Sequence, residues 1–348
     1  MEEMEMILAA DIGGTKSIFA CCHFINGELC ITTKKRYLNN EFGSLDDVLK
    51  TFIFEYSERE DFSQIEVACF GLAGPIIDNK CYMVNLGWNI DKKQLQISFP
   101  NITSIELCND LEAVGYGMTI LSGEDILCLT PELLNGNNKK SEILENNCGI
   151  LAPGTGLGEA FLLGGRVFSS EGSHSDFGPR SIEQVRLWQF LHSKFDHVSY
   201  DRILSGPGLC QLVYFLMKEM KADRVDFNVI PEEITRRAMK ENCTICQGAL
   251  KLFVNILGSE AGNMAIRSLT YGGIYLGGGI PPKILPALQG GDFINSFRNK
   301  GRFSNFMKGF PVFVIMNSQT ALYGTALLAA KNVYPNKCFN TIIDVKES

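Results

Sequence analysis

Four kinds of stretch in this chain carry residues that could do chemistry. Residues 105–114 alternate apolar positions into Asn109-Asp110 and then turn helix-like. That pattern describes a strand ending on a carboxylate, with a helix behind it. A carboxylate at such a strand end can accept a proton from a bound hydroxyl, which makes Asp110 a candidate general base. The same position equally suits an N-cap, with Asn109 or Asp110 in that role. Two glycine turns follow apolar runs: Asp11-Ile12-Gly13-Gly14-Thr15-Lys16 near the start and Pro153-Gly154-Thr155-Gly156-Leu157-Gly158 midway. Glycine leaves backbone N–H groups open to a phosphate, and Thr15 adds a hydroxyl donor; an ordinary tight hairpin fits the first turn as well. Residues 169–176 form a polar loop holding Glu171 and His174, suited to a polyol, each of whose hydroxyls wants a donor and an acceptor; an ordinary solvated loop fits it equally. Finally, Gly277-Gly278-Gly279 closes a strand-like run and offers bare backbone to a flat ring.

Neither glycine turn is a familiar nucleotide fingerprint. The first lacks the Gly-Lys-Ser/Thr ending of a P-loop. The second is Gly-x-Gly-x-Gly followed by a strand, whereas a dinucleotide fold needs Gly-x-Gly-x-x-Gly and a helix. Both instead sit between two strands, so the chain reads as a duplicated strand–turn–strand architecture. Asn26-Gly27 extends the first unit into a three-stranded meander, and Gly164-Gly165 does the same for the second.

Helices fill the intervals. Ser44 with Asp47 opens one whose apolar face is Leu45, Val48, Leu49, Phe52 and Tyr56. Ser181 with Gln184 opens another over 181–195, with Ile182, Val185, Trp188, Leu191 and Phe195 expected to face inward. A long helix is expected over 244–269, with Phe253, Ile256, Leu257, Met264 and Leu269 inward, and a closing one over 320–331. Residues 122–147 read as a polar insertion whose exposed tip is 135–140.

Composition narrows the class. A length of 348 residues exceeds what one core usually serves, so two domains are expected. The balance of 45% hydrophobic and 20% charged residues is that of a soluble globular protein. A net charge of -7 without a basic run argues against nucleic acid or an anionic membrane as partner. No apolar stretch is long enough for a membrane span, and the acidic Met1-Glu2-Glu3 start does not resemble a secretory signal, so a cytoplasmic location is expected. The 12 cysteines lie scattered in apolar runs, as free thiols of a reducing compartment do. Cys243-Thr244-Ile245-Cys246 has no second pair or nearby histidine, which makes it structural, and no protein-held metal is expected. His23, His192 and His197 are read as structural too.

Taken in order, Asp11-Ile-Gly-Gly-Thr15, Leu107-Cys-Asn-Asp110, Gly154-Thr-Gly-Leu-Gly158, Glu171-Gly-Ser-His174, Leu204-Ser-Gly-Pro-Gly208 and Gly277-Gly-Gly279 resemble the bacterial-type glucokinases, over nearly the whole chain. The resemblance implies an α/β, two-lobed actin-like ATPase (ribonuclease H-like) fold around a cleft, with a mixed five-stranded sheet in each lobe. It implies a small lobe over 1–112, joined by the C-terminal helix 318–335, and a large lobe over 113–317. The implied reaction is ATP-dependent phosphorylation of glucose to glucose 6-phosphate for glycolysis, with Mg²⁺ held mainly through ATP phosphates and water. A homodimer is implied as well. By the same resemblance, Asp110 is the catalytic base and Asn109, Asp110, Glu171, His174 and Asp201 bind sugar. Gly13, Gly14, Thr15, Gly154, Thr155 and Gly156 flank the phosphates, Gly277, Gly278 and Gly279 border the adenosine, and Asp11 orients the hydrated metal.

Two positions depart from the pattern. Asp201 stands where many relatives have glutamate, and Ser173 where glycine is usual; both bear on selectivity for glucose. A kinase for another hexose or an N-acetylhexosamine is the alternative substrate reading. A sugar-sensing regulator on this fold would carry an N-terminal helix-turn-helix and a cysteine-rich zinc motif by the sugar-binding histidine. Neither is found before Asp11 or near His174.

Overall fold

The computed structural model describes residues 6–25, 28–134, 146–222, 224–334 and 342–344. The Asn26-Gly27 turn and the 135–140 tip lie outside them. Two compact units form: Met1–Gly123 with Asn317–Ser348, and Glu124–Met316.

The first unit opens with β1 (Met6–Ile12), β2 (Lys16–Ile25) and β3 (Glu28–Leu38), then α1 (Leu45–Tyr56) and β4 (Ile65–Leu72). A small hairpin of β5 (Lys80–Met83) and β6 (Trp88–Asp91) leads through α2 (Lys92–Ser98) to β7 (Ser104–Asn109) and α3 (Asp110–Gly117). The second unit contains β8 (Ile126–Cys128), β9 (Cys148–Pro153), β10 (Leu157–Leu163) and β11 (Arg166–Ser170). Helices α4 (Ile182–His192), α5 (Gly206–Glu219), α6 (Pro231–Lys240) and α7 (Thr244–Ser268) come next. It closes with β12 (Gly273–Leu276), α8 (Leu285–Gln289), α9 (Asp292–Arg298) and β13 (Val312–Ile315). The chain then returns to the first unit with α10 (Thr320–Val333) and β14 (Ile342–Asp344).

The sheet orders are β14-β3-β2-β1-β4-β7 and β11-β10-β9-β12-β13-β8. Both mixed sheets repeat one plan: two antiparallel pairings, then two parallel ones starting from the strand that enters the glycine turn. Each carries a sixth, three-residue edge strand beyond the five expected. β8 arises inside the stretch read as a polar insertion, because Leu127 pairs with Val314 of β13. A three-residue edge strand contributes too little alternation to show in the sequence.

Strand periodicity places the first core. Met6, Leu8, Ala10 and Ile12 pack with Phe19, Phe52 and Phe70 on one face, while Ile7 and Ala9 join Ala113, Leu322 and Ala326 on the other. Helices α3 and α10 meet at glycines: a Cβ on Gly117 would strike the backbone of Thr320, and one on Gly324 the backbone of Ala113. That contact explains why the first unit runs on to Gly123 instead of ending at 112, since α3 is bound to the returning α10. In the second unit α7 is buried nearly all round, including Gly258 and Gly262 against the backbone of α9.

Two helix faces differ from the sequence expectation. In α4 the Ser181 cap forms as expected, accepting the Gln184 N–H at 3.1 Å, but Ile182 is 73% exposed and Leu187 is fully buried. The inward line runs through Gln184, Leu187 and Leu191. In α7 the last inward residue is not Leu269, which caps the helix with a left-handed backbone and is half exposed. The stretch holding Trp88 folds as the β5–β6 hairpin, and Trp88 is buried.

Candidate active site

In the first unit the parallel strands β1, β4 and β7 end level with one another: Asp11 lies opposite Gly71, and Leu72 opposite Asn109. Carboxyl ends of parallel strands are where such sheets place ligands. Asn109 is the N-cap of α3, accepting the Leu111 N–H at 2.9 Å, and its amide donates to Gly74 O at 3.2 Å. Asp110 occupies the first helical position and accepts from the same Leu111 N–H at 2.9 Å. The capping role expected of this pair therefore falls to Asn109, and Asp110 stands at the first position of the helix. Burial, and then the charge of Asp110, push the Asp11 carboxyl up to about 6, against the pull of Lys16.

The first glycine turn is closed by Gly13 N–H donating to Lys16 O at 3.0 Å. Asn39 staples it from behind. Its amide donates to Gly13 O at 2.8 Å, its backbone N–H donates to Thr15 O at 2.9 Å, and its Oδ1 accepts from Ser17 Oγ at 2.6 Å. Asn39 is 1% exposed, and its side chain and backbone N–H are all used in holding the turn. Thr15 and Lys16 are exposed.

The second turn is built in the same way by different residues. Gly154 N–H donates to Gly156 O at 2.7 Å, and Asp201 Oδ1 accepts the Leu157 N–H at 2.8 Å. A Cβ on Gly156 would lie 2.9 Å from that carboxylate oxygen, so glycine is required by space. Gly206, at the start of α5, donates its N–H to Gly154 O at 2.8 Å. Gly278, at φ +77°, packs against the strand leading into the turn; a Cβ there would lie 2.6 Å from Pro153 O. The structure thus gathers Gly154–Gly156, Asp201, the α5 N-terminus and the Gly277–Gly279 triplet in one place.

Asp201 also joins this turn to the polar loop, donating its backbone N–H to Ser173 O at 2.9 Å. Glu171 and His174 lie at either end of a single 3₁₀ turn. Their side chains are exposed, with Glu171 Oε2 3.7 Å from His174 Nε2, while Ser173 is buried. His197 pairs with Asp176 at 2.9 Å, and His23 with Glu60 at 3.0 Å.

Every site residue expected from the sequence therefore falls into one of two groups. Asp11, Gly13, Gly14, Thr15, Asn109 and Asp110 stand in the first unit, and the rest in the second. Sequence reasoning missed Asn39; its only signal is a polar Asn-Asn pair where β3 ends. It also missed the bond from Asp201 to Leu157, which no spacing reveals. Among the described residues no cluster of three His, Cys, Asp or Glu could hold a metal, and no helix is long and apolar enough to cross a membrane.

A family model described as glucokinase matches residues 8–332. A glucokinase of a Nostoc species is 35% identical over 355 residues, covering 94% of this chain and 100% of the relative. A Yersinia enterocolitica glucokinase is 33% identical over 321 residues, covering 91% and 94%. Among solved structures, a glucokinase from an Antarctic psychrotroph superimposes with a TM-score of 0.81 at 27% identity, covering 94% of this chain and 99% of that one. Such matches run through both glycine turns, the Asn109-Asp110 strand end and the polar loop alike, and the chain belongs to the glucokinase family, enzymes that phosphorylate glucose with ATP.

Proposed function

We propose that the chain transfers the terminal phosphoryl group of ATP to the 6-hydroxyl of D-glucose, with Asp110 as general base. The observation that carries this reading is the strand end at Asn109-Asp110. Asn109 is fixed by capping α3 and by donating one amide hydrogen to Gly74, which makes a rigid platform for the Asp110 carboxylate and leaves the second amide hydrogen for a sugar hydroxyl. Phosphoryl transfer asks a protein mainly for positioning and charge neutralisation. Asp110 takes the hydroxyl proton as the oxygen attacks, and Asn109, Glu171, His174 and Asp201 hold the other hydroxyls. Asp201 has one oxygen on Leu157 N–H, so Oδ2 is the one available to the sugar. Gly13, Gly14 and Thr15, with Gly154, Thr155 and Gly156, take the phosphates, and Gly277–Gly279 border the adenosine.

The donor set fits Mg²⁺ held largely by phosphates and water. Asp11 and Asp110 are hard oxygen donors, and one or two carboxylates suffice for such an ion. Bound there, the metal would neutralise phosphate charge, and Asp11 would hold its water shell. A homodimer fits the exposed Ile182 and Val185 of α4 and Tyr214 and Met220 at α5. Free thiols at all the described cysteines support a cytoplasmic location.

The test is ADP release in a coupled assay with Mg-ATP over a panel of hexoses and N-acetylhexosamines. Glucose should give the highest kcat/KM. A higher value for mannose, fructose or N-acetylglucosamine would replace the substrate assignment.

A further inference from the structure

Behind the Glu171–His174 turn lies a buried acid that the reaction does not use. Glu159 sits on β10 directly opposite Ser170 of β11. It is 2% exposed, and its Oε1 has no hydrogen-bond partner. Ser170 Oγ accepts the Gly172 N–H at 3.0 Å, so the register brings Glu159 beneath the first residue of the turn. A Cβ on Gly172 would lie 2.5 Å from Glu159 Oε2. Gly172 does not have a left-handed backbone. Glycine is therefore needed there for room: the backbone of the turn rests on the carboxyl group.

The charges around Glu159 favour its uncharged form. The neighbouring acid is Glu260 of α7, fully buried, and Arg267 is committed to it at 2.9 Å. Asn263 donates to Glu260 at 2.7 Å and to the Tyr200 hydroxyl at 3.2 Å. Lys300 is turned away to Asn263 Oδ1 and Ser259 O. Glu159 is left facing a carboxylate with no cation of its own. Burial first, and Glu260 second, push its carboxyl up to about 7, with Arg267 opposing.

We propose that Glu159, as the uncharged acid, is a positioning residue that supports the Glu171–His174 turn in its sugar-binding form, and that loss of its proton loosens that turn. This inference rests on the reading of Glu171 and His174 as sugar ligands. An ionised Glu159 repels Glu260 and lacks a partner for its charge, so the strand pair and the turn resting on it must shift to admit water. The effect falls on sugar binding and spares the step at Asp110.

The test is the glucose KM and kcat at saturating Mg-ATP, from about pH 6 to about pH 8.5, for wild type, Glu159→Gln, Glu159→Ala and Glu171→Ala. In wild type the glucose KM should rise roughly fivefold or more across this range while kcat changes little. Glu159→Gln, uncharged at every pH and of the same shape, should keep the low KM and flatten the profile. Glu159→Ala should raise KM at all pH values. Gly172→Ala, which presses a methyl onto the carboxyl, gives a second approach: it should raise the glucose KM and leave the ATP KM unchanged. A Glu159→Gln profile parallel to wild type overturns the inference. Glu171→Ala separates the two readings. If it leaves the glucose KM unchanged, the sugar-ligand assignment has failed. If it raises that KM while Glu159→Gln copies wild type, only the role of Glu159 has.

Discussion

The two glycine turns share a plan and differ in the residue that holds them. Each joins the first two antiparallel strands of its sheet, and each is closed by a glycine N–H donating across the turn. The first is stapled by Asn39, a neutral amide that both donates and accepts. The second is stapled by Asp201, a carboxylate that only accepts. The surroundings account for the difference. Asp11 ends the strand entering the first turn, and Asp110 already raises its pKa, so a third carboxylate there would add repulsion. The second turn is bonded to the N-terminus of α5 through Gly206, where the helix dipole favours a negative charge. Geometry is thus duplicated, while electrostatics is fitted to each unit. On the proposed reading, the first unit adds the base and the metal-orienting carboxylate to its phosphate turn, and the second adds the adenosine border and the sugar-binding loop to its own.

The sharpest break in this symmetry is at the chemical step. Asp110→Asn keeps shape and removes the proposed base, so turnover should fall by a factor of ~10² or more with little change in the glucose KM. A well-folded variant with near-normal turnover would refute the assignment.

Next, matched glycine substitutions should behave unequally. In Gly156→Ala the methyl meets Asp201 Oδ1 and strains its bond to Leu157, so the ATP KM should rise roughly tenfold or more. Gly14→Ala meets only Asn85, at 3.4 Å, and should fold normally. Equal losses of thermal stability in the two variants would mean that the turns are not stapled differently.

The staples themselves can then be exchanged. Asn39→Asp loses the donor to Gly13 O inside a buried network and should cost about 1–3 kcal/mol in chemical denaturation. Asp201→Asn keeps an acceptor for Leu157 N–H and should cost less, while raising the glucose KM if Oδ2 holds a sugar hydroxyl. A glucose KM left unchanged in both Asp201→Asn and Asp201→Ala would confine Asp201 to the turn.

The smallest effect is electrostatic. With its pKa raised from 3.8 to about 6, Asp11 binds its proton more tightly folded than unfolded. Its contribution favours folding at low pH and is lost as pH rises through about 6. Asp11→Asn should therefore gain Tm over wild type near pH 7 and lose that advantage near pH 4. A pH-independent difference would show that the carboxyl is not strained by its surroundings.

Local chemistry made much of this legible in the sequence. Two strand–glycine–strand units, the caps at Ser44 and Ser181, and the strand end at Asn109-Asp110 are short-range patterns, set by steric and hydrogen-bonding rules that act within a few residues. The six ordered motifs, read together, carried the family and with it the fold. What stayed hidden depends on partners distant in the chain. The inward line of α4 was misread because Ile182 and Leu187 are both apolar, and only the packed neighbours choose between them. β8 exists because β13, far along the chain, offers its edge. Asn39 and Asp201 look like loop polar residues until the fold sets Gly13 and Leu157 against them. Glu159 looks like one more strand carboxylate; burial beside Glu260 and beneath Gly172 is what changes its chemistry. Residue type and short spacing determine which groups exist and what they are able to do, whereas hydrogen-bond partners, free space and local dielectric are properties of what the folded chain brings together, and only the tertiary structure decided those.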